Sequence, residues 1–225
     1  MEMKIIARVE SDFSTKFGIP RQSGIAKGLT SRVIFEPEYR DAHAVRGLEE
    51  FSHIWLIWQF SGNIREGWSP TVRPPRLGGN TRIGVFATRS PFRPNEIGLS
   101  SVKLEKIEYS GRGPVLIISG ADLMDGTPIF DIKPYLPFTD SHPEAVSGFA
   151  ERVADYSLNV EFNCDFPADF PENKKEALKI VLENDPRPSY KEDSHHLYGF
   201  VFAGFEIKFS VENGVLKVKE IYPSL

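Results

Sequence analysis

Six arginines, Arg65, Arg73, Arg76, Arg82, Arg89 and Arg93, fall between positions 65 and 93, where the only acid is Glu66. The choice of arginine over lysine matters, because a planar guanidinium forks onto phosphate or carboxylate and stacks on a nucleobase. Such a run suits a polyanionic partner. The alternative is a solvated face whose counter-charges come from elsewhere in the chain. The overall net charge of −4 does not exclude a nucleic acid, since charge is unevenly spread. Residues 1–139 carry 18 Lys and Arg against 15 Asp and Glu, and residues 140–225 carry 9 against 16.

Other chemistry is narrowed by absence. The sequence has no phosphate-binding Gly-x-x-x-x-Gly-Lys loop, no Gly-x-Gly-x-x-Gly after a strand and no Gly-x-Ser-x-Gly, so ATP hydrolysis, Rossmann dinucleotide chemistry and α/β-hydrolase chemistry lose their support. His195 and His196 are adjacent; on a strand they point to opposite faces and cannot chelate one metal together. His43 and His53 lie beside apolar segments and read as structural. Cys164 is the single cysteine, which excludes a disulfide framework or a multi-cysteine metal site and fits a reducing compartment. No metal is expected. Charge interrupts every apolar run, so neither a signal peptide nor a membrane span is expected, and the reading is cytoplasmic.

The elements that must position these residues read as strands over the first 140 positions. Segments 5–9, 31–35, 53–60, 82–87, 101–109 and 115–119 are short, rich in Val, Ile, Phe and Trp, and bounded by Gly, Pro, Asn or Asp. Only 41–51 offers a helical turn. Many short strands predict an antiparallel barrel or sandwich, which leaves no open edge when closed. Segments 61–81 and 88–100 are long, stiff and basic, as functional loops are. Beyond a boundary near 140–153 the chain becomes acidic. There 154–162 predicts a strand, 172–184 an amphipathic helix with Leu178, Val181 and Leu182 on one face, and 196–209 and 215–221 two strands joined by an Asn213-Gly214 hairpin turn. The fold class is mainly β, with a barrel domain over 1–140 and a small α+β domain over 150–225.

Several motifs carry a resemblance. They are Pro20-Arg21-Gln22, Pro70-Thr-Val-Arg-Pro-Pro-Arg-Leu-Gly-Gly-Asn80, Gly84-Val-Phe-Ala-Thr-Arg-Ser-Pro-Phe-Arg-Pro-Asn95 and Asp125-Gly-Thr-Pro-Ile-Phe-Asp-Ile-Lys-Pro-Tyr135. Together they resemble the TsaA/TrmO-type tRNA methyltransferases, over 5–138 almost continuously, and Asp185-Pro-Arg-Pro-Ser-Tyr190 resembles a motif of the bacterial members' C-terminal domain. The resemblance implies a β-barrel enzyme, a homodimer, that uses S-adenosylmethionine to methylate N6 of threonylcarbamoyl-adenosine beside the tRNA anticodon. It places Pro20, Arg21, Gln22, Ser61, Gly62, Arg89, Leu99, Asp122, Leu123, Met124 and Asp125 at the cofactor. Where relatives carry His-Gln this chain has Ser61-Gly62, so only backbone contacts transfer there.

Physical chemistry gives these residues jobs within that implied reaction. Arg21 or Arg89 can fork onto the cofactor's α-carboxylate, and Asp125 can accept from its amino group or ribose hydroxyls. The plainer alternatives are that Asp125 only builds its turn and Arg89 only pairs a neighbouring acid. The weakly nucleophilic N6 must lose a proton. Asp131, Lys133 and Tyr135 are candidates for that step, because alternate residues of a strand share a face. Arg65, Arg73, Arg76 and Arg93 can hold phosphates of the anticodon loop, and Trp68 or Phe92 can stack an unpaired base or else anchor a loop in the core. A non-enzymatic RNA-binding barrel and a small-molecule methyltransferase are the competing readings.

Overall fold

The computed structural model describes residues 2–224 except 27, 65, 78–79, 154–155 and 188–195. Its first part is built from β1 (Ala7–Glu10), β2 (Thr30–Phe35), β3 (His53–Gln59), a small ribbon of β4 (Thr71–Val72) and β5 (Ile83–Gly84), β6 (Ile97–Ser110), β7 (Gly113–Ser119) and β8 (Pro128–Pro134). Apart from the ribbon these strands close into a barrel in the order β1-β2-β7-β6-β3-β8. Every neighbour is antiparallel. Alternation decides the inside: Ile54, Leu56 and Trp58 of β3 meet Val33 and Phe35 of β2 and Leu116 and Ile118 of β7 in one core. Trp55, Ile57 and Gln59, on the other face of β3, are half-covered, which explains why that segment reads as apolar on both faces.

A one-turn helix, α1 (Pro137–Asp140), follows the barrel. The second part contains β9 (Asn159–Phe162), α2 (Lys175–Glu183), β10 (Tyr198–Phe202), β11 (Phe205–Glu212) and β12 (Val215–Pro223). The sheet order is β10-β11-β12-β9, with β9 parallel to β12. Leu178, Val181 and Leu182 of α2 are buried against this sheet's core, as the helical period predicts. The β11–β12 turn has Asn213 at φ 50° and Gly214 at φ 78°, the geometry an Asn-Gly hairpin requires.

β8 (Pro128–Pro134) is a strand absent from the segments read as strands above, the strand read over 154–162 is Asn159–Phe162 among the described residues, and three further boundaries differ for a local reason. Segment 82–87 yields only the two residues of β5, and Val85–Ala87 tightens into a 3-10 turn that buries Val85. Segment 196–209 is two strands, because Ala203 and Gly204 take positive φ and fold it back on itself. β6 begins at Ile97 rather than 101, running through Gly98 because the Trp58 indole lies flat on that glycine: a Cβ there would sit 2.3 Å from Trp58 Cε2. Gly98→Ala is therefore expected to displace Trp58 and cost about 1–3 kcal/mol. Urea unfolding checks this; an unchanged midpoint would mean the indole is free to move.

The connection from β1 to β2, residues 11–29, belongs by position to the barrel but not by packing. Phe13, Ala26 and Leu29 join the core of the second sheet. Gly18, at φ +92°, lies under the Phe200 ring, where any Cβ would collide at 2.3 Å. Backbone and charge add to the hold: Ala203 N–H donates to the Asp12 carbonyl at 3.0 Å, and Lys174 pairs with the Asp12 carboxylate, both side chains mostly buried. One barrel loop is thus carried by the C-terminal sheet.

Candidate active site

That loop forms one wall of a cavity of about 840 Å³, a size that suits a cofactor plus part of a substrate. Lys16, Pro20, Arg21 and Gln22 come from the loop, Trp58 to Gly62 from the end of β3, Arg73 and Arg82 from the ribbon, Thr88 to Phe92 from the segment after it, and Leu99, Asp122 and Met124 from the barrel mouth. Among the described lining residues there are five cations, Lys16, Arg21, Arg73, Arg82 and Arg89, and one carboxylate, Asp122. The cavity is therefore strongly positive around a single acid.

Asp122 sits at the end of a hydrogen-bond chain. Trp58 Nε1 donates to Ser100 Oγ at 3.0 Å, and Ser100 Oγ donates to Asp122 Oδ1 at 2.7 Å. Burial pushes the Asp122 carboxyl above the usual carboxylate range, against the opposing pull of Ser100 and the Arg89 charge. Arg89 donates to Gln22 Oε1 at 2.6 Å, tying the wall after the ribbon to the β1–β2 loop. Arg21, which lines the cavity, is also tied to the C-terminal part. Its Nη2 donates to the carbonyls of Arg187 at 2.8 Å and Asp185 at 3.4 Å. Those carbonyls belong to a segment stiffened by the two-pronged Asp185–Arg187 pair and by Tyr156 O–H donating to Asp185 at 2.8 Å. Burial works to raise the Asp185 carboxyl, but the Arg187 and Tyr156 hydrogen bonds hold it below its ordinary value.

Nine of the eleven residues expected at the cofactor line this cavity: Pro20, Arg21, Gln22, Ser61, Gly62, Arg89, Leu99, Asp122 and Met124. Leu123 points into the barrel core and is 1% exposed. Asp125 accepts from Ser11 N–H at 3.0 Å and builds its turn, with Gly126 at φ 74°. The proton-transfer candidates lie elsewhere. Asp131 and Lys133 pair with each other at 2.9 Å on the barrel's exposed outer wall, and Tyr135 packs beside Trp55 with centroids 5.4 Å apart. They do share a face, as strand alternation requires, but it is the face turned away from the barrel interior.

Of the expected RNA contacts, Arg73 lines the cavity. Trp68 lies just before the ribbon and Arg93 after it, and Trp68 is exposed rather than buried in the core. Phe92 lines the cavity. Arg65 and the Arg76 side chain lie outside the described residues; the Arg76 backbone is in the 3-10 turn Pro75–Leu77. Lys16, Phe60 and Phe149 line the cavity unanticipated; nothing in their local sequence signals it. Burial raises the Cys164 thiol, helped by Asp165 and Glu220, the opposite of an activated nucleophile. No cluster of three or more metal-ligating side chains occurs among the described residues.

Comparison with known proteins adds to this geometry. The family model described as the tRNA-methyltransferase O N-terminal domain matches residues 8–141, and that of the TrmO C-terminal domain matches 155–224. The chain is 38% identical over 226 residues to a tRNA (adenine(37)-N6)-methyltransferase of Escherichia coli (strain K12), covering 97% of this chain and 96% of the relative. It is 45% identical over 172 residues to a protein of the same name from Eikenella corrodens, covering 76% and 97%. A crystal structure of TrmO from Pseudomonas aeruginosa superposes with a TM-score of 0.78 at 30% identity, covering 99% of this chain and 98% of that one.

Proposed function

The chain belongs to the tRNA-methyltransferase O family, and from that premise we propose that its positive cavity holds S-adenosylmethionine and delivers a methyl group to N6 of adenine 37 of tRNA, the position named for its relatives. The observation that carries the reading is the ratio of five cations to one carboxylate among the described residues of the cavity. A phosphodiester chain and a cofactor carboxylate both need cations, whereas the proton that the nitrogen loses on taking up a methyl group needs a nearby acceptor.

The residues present fit the cofactor. Arg89 and Lys16 can hold its α-carboxylate, the backbone at Ser61 and Gly62 can meet polar edges, and Leu99, Met124 and Pro91 supply apolar walls for its adenosine. When bound, the cofactor supplies a methyl group on positively charged sulfur. The chain's own work is to align the acceptor nitrogen, exclude water and receive a proton, since most of the acceleration of an in-line displacement comes from positioning. The Asp122 carboxylate is the acceptor we assign: its raised pKa makes it a better base than an exposed aspartate, and Ser100 and Trp58 fix its orientation. Arg73 and Arg82 are assigned to RNA phosphates.

The finer substrate reading is that the adenine carries a threonylcarbamoyl group in the anticodon loop; its support is the motif resemblance. The test is mass spectrometry of digested tRNA after incubation with the protein and isotopically labelled S-adenosylmethionine, using tRNA from strains that make or lack threonylcarbamoyl-adenosine. One labelled methyl on the modified nucleoside alone is expected. Label on plain adenosine would overturn the finer substrate, and label on no nucleoside would overturn the function. The same resemblance supports a cytoplasmic homodimer; light scattering is expected to give twice the 25.4 kDa chain mass.

A further inference from the structure

Two large aromatic rings stand in solvent beside the cavity. Trp68 precedes β4 and is 51% exposed, and Phe86 follows β5 and is 69% exposed. Their ring centroids are 6.0 Å apart with the planes tilted by 30°, and Val85 N–H donating to the Pro70 carbonyl at 2.9 Å fixes the two backbones together. Arg93 lies over the Phe86 ring at 5.5 Å. Its Nη1 donates to the carbonyls of Thr88 at 2.8 Å and Val85 at 3.2 Å, so the cation is pinned to the ring's backbone rather than left to roam. Two large rings exposed side by side form a contiguous apolar patch, the kind of surface that marks a contact site.

The setting identifies the occupant. The ribbon that carries Trp68 and Phe86 at its ends also presents Arg73 and Arg82 to the cavity, with Arg82 held by a hydrogen bond to Thr71 Oγ1 at 3.1 Å. A strand of nucleic acid with one base in the cavity would find these arginines for its phosphates and the rings beside them for its next base. Aromatic stacking reads the face of a base and tolerates any sequence, and a guanidinium near the stack strengthens it. A protein partner would call for a broader apolar patch without a row of cations.

Resting on the function proposed above, we propose that Trp68, Phe86 and Arg93 form a stacking ledge for the unpaired nucleobase next to the target adenine in the tRNA. The ledge positions the substrate and takes no part in bond making.

The test uses wild-type protein, Phe86→Leu and Phe86→Trp, with intact tRNA and with an RNA hairpin of the anticodon arm, either complete or abasic at one neighbour of the target. Phe86→Leu is expected to weaken RNA binding about tenfold, within the 1–3 kcal/mol measured for such stacks, while Phe86→Trp keeps it and affinity for S-adenosylhomocysteine stays unchanged. The abasic hairpin is expected to bind wild type about tenfold more weakly, with no further loss in Phe86→Leu, because the two changes remove one contact. Equal RNA affinity of wild type and Phe86→Leu, with methylation intact, would overturn the ledge and leave the function standing. Conversion of a dimer to a monomer by Phe86→Leu would overturn it in favour of an interface between copies. Failure of wild type to bind or methylate tRNA would overturn the function itself and the ledge with it.

Discussion

Replacing Asp122 by asparagine is expected to lower kcat about a hundred- to ten-thousand-fold, the usual contribution of a positioned acid or base, and to leave the protein as stable as before or more so. The opposite signs follow from one cause. Burial raises the carboxyl's pKa above its ordinary 3.8, so the native state holds this proton to higher pH than the unfolded chain does. Between the unfolded and native values the native state binds more protons, and stability falls as pH climbs through that window. Once ionised, the shielded carboxylate is a liability for folding, which the amide removes while Ser100 keeps an acceptor. Activity has the reverse dependence, because only the ionised carboxylate can take a proton. The wild-type kcat profile is expected to fall on an acid limb lying above the ordinary carboxylate range, and the Asp122→Asn variant to lack that limb. Steady-state kinetics across pH, with urea midpoints beside them, separates the possibilities. A kcat within a few-fold of wild type would exclude Asp122 as the acceptor, and a loss confined to cofactor affinity would make it a binding residue only.

Where the sequence speaks plainly, side-chain alternation or turn chemistry is strong and local. The barrel strands, the face of α2 and the Asn213-Gly214 turn follow from periods of two, of 3.6 and from positive φ. The cavity was legible chiefly through motifs, since Pro20 to Gln22, Ser61, Arg89 and Asp122 are far apart in the chain and no period links them. Strand alternation placed Asp131, Lys133 and Tyr135 on one face correctly, but it cannot say which face closes inward. The half-buried Ile132 packs against the barrel core, and that sends its neighbours outward. The aromatic ledge was half visible: Trp68 stood out among the arginines, whereas Phe86 read as a strand residue until its 3-10 turn exposed it. Least legible was the exchange between the two parts of the chain. Composition drew a boundary near residue 140, yet Phe13 and Leu29 pack across it, because burial is decided by three-dimensional proximity and not by where charge changes along the sequence.

That exchange leads to the second large effect. Phe13 is fully buried, its ring 5.4 Å from that of Phe202, and truncation to alanine is expected to cost about 3–5 kcal/mol, as large-to-small changes at buried aromatics do. The cost should not stop at stability. Phe13 anchors the loop whose later residues, Lys16 to Gln22, wall the cavity, and Arg21 on that loop is tied to the Asp185 and Arg187 carbonyls of the C-terminal part. Loosening one anchor lets Gln22 leave Arg89, so S-adenosylhomocysteine affinity is expected to drop along with the urea midpoint. Phe13→Leu, which keeps most of the buried volume, should retain more of both. Calorimetric titration of folded protein, well below the unfolding midpoint, reads the loop separately from global stability. If Phe13→Ala lowers the midpoint while binding S-adenosylhomocysteine as tightly as wild type, the loop is held by its remaining contacts alone. A parallel fall in both makes the C-terminal sheet the support on which the cofactor wall is built.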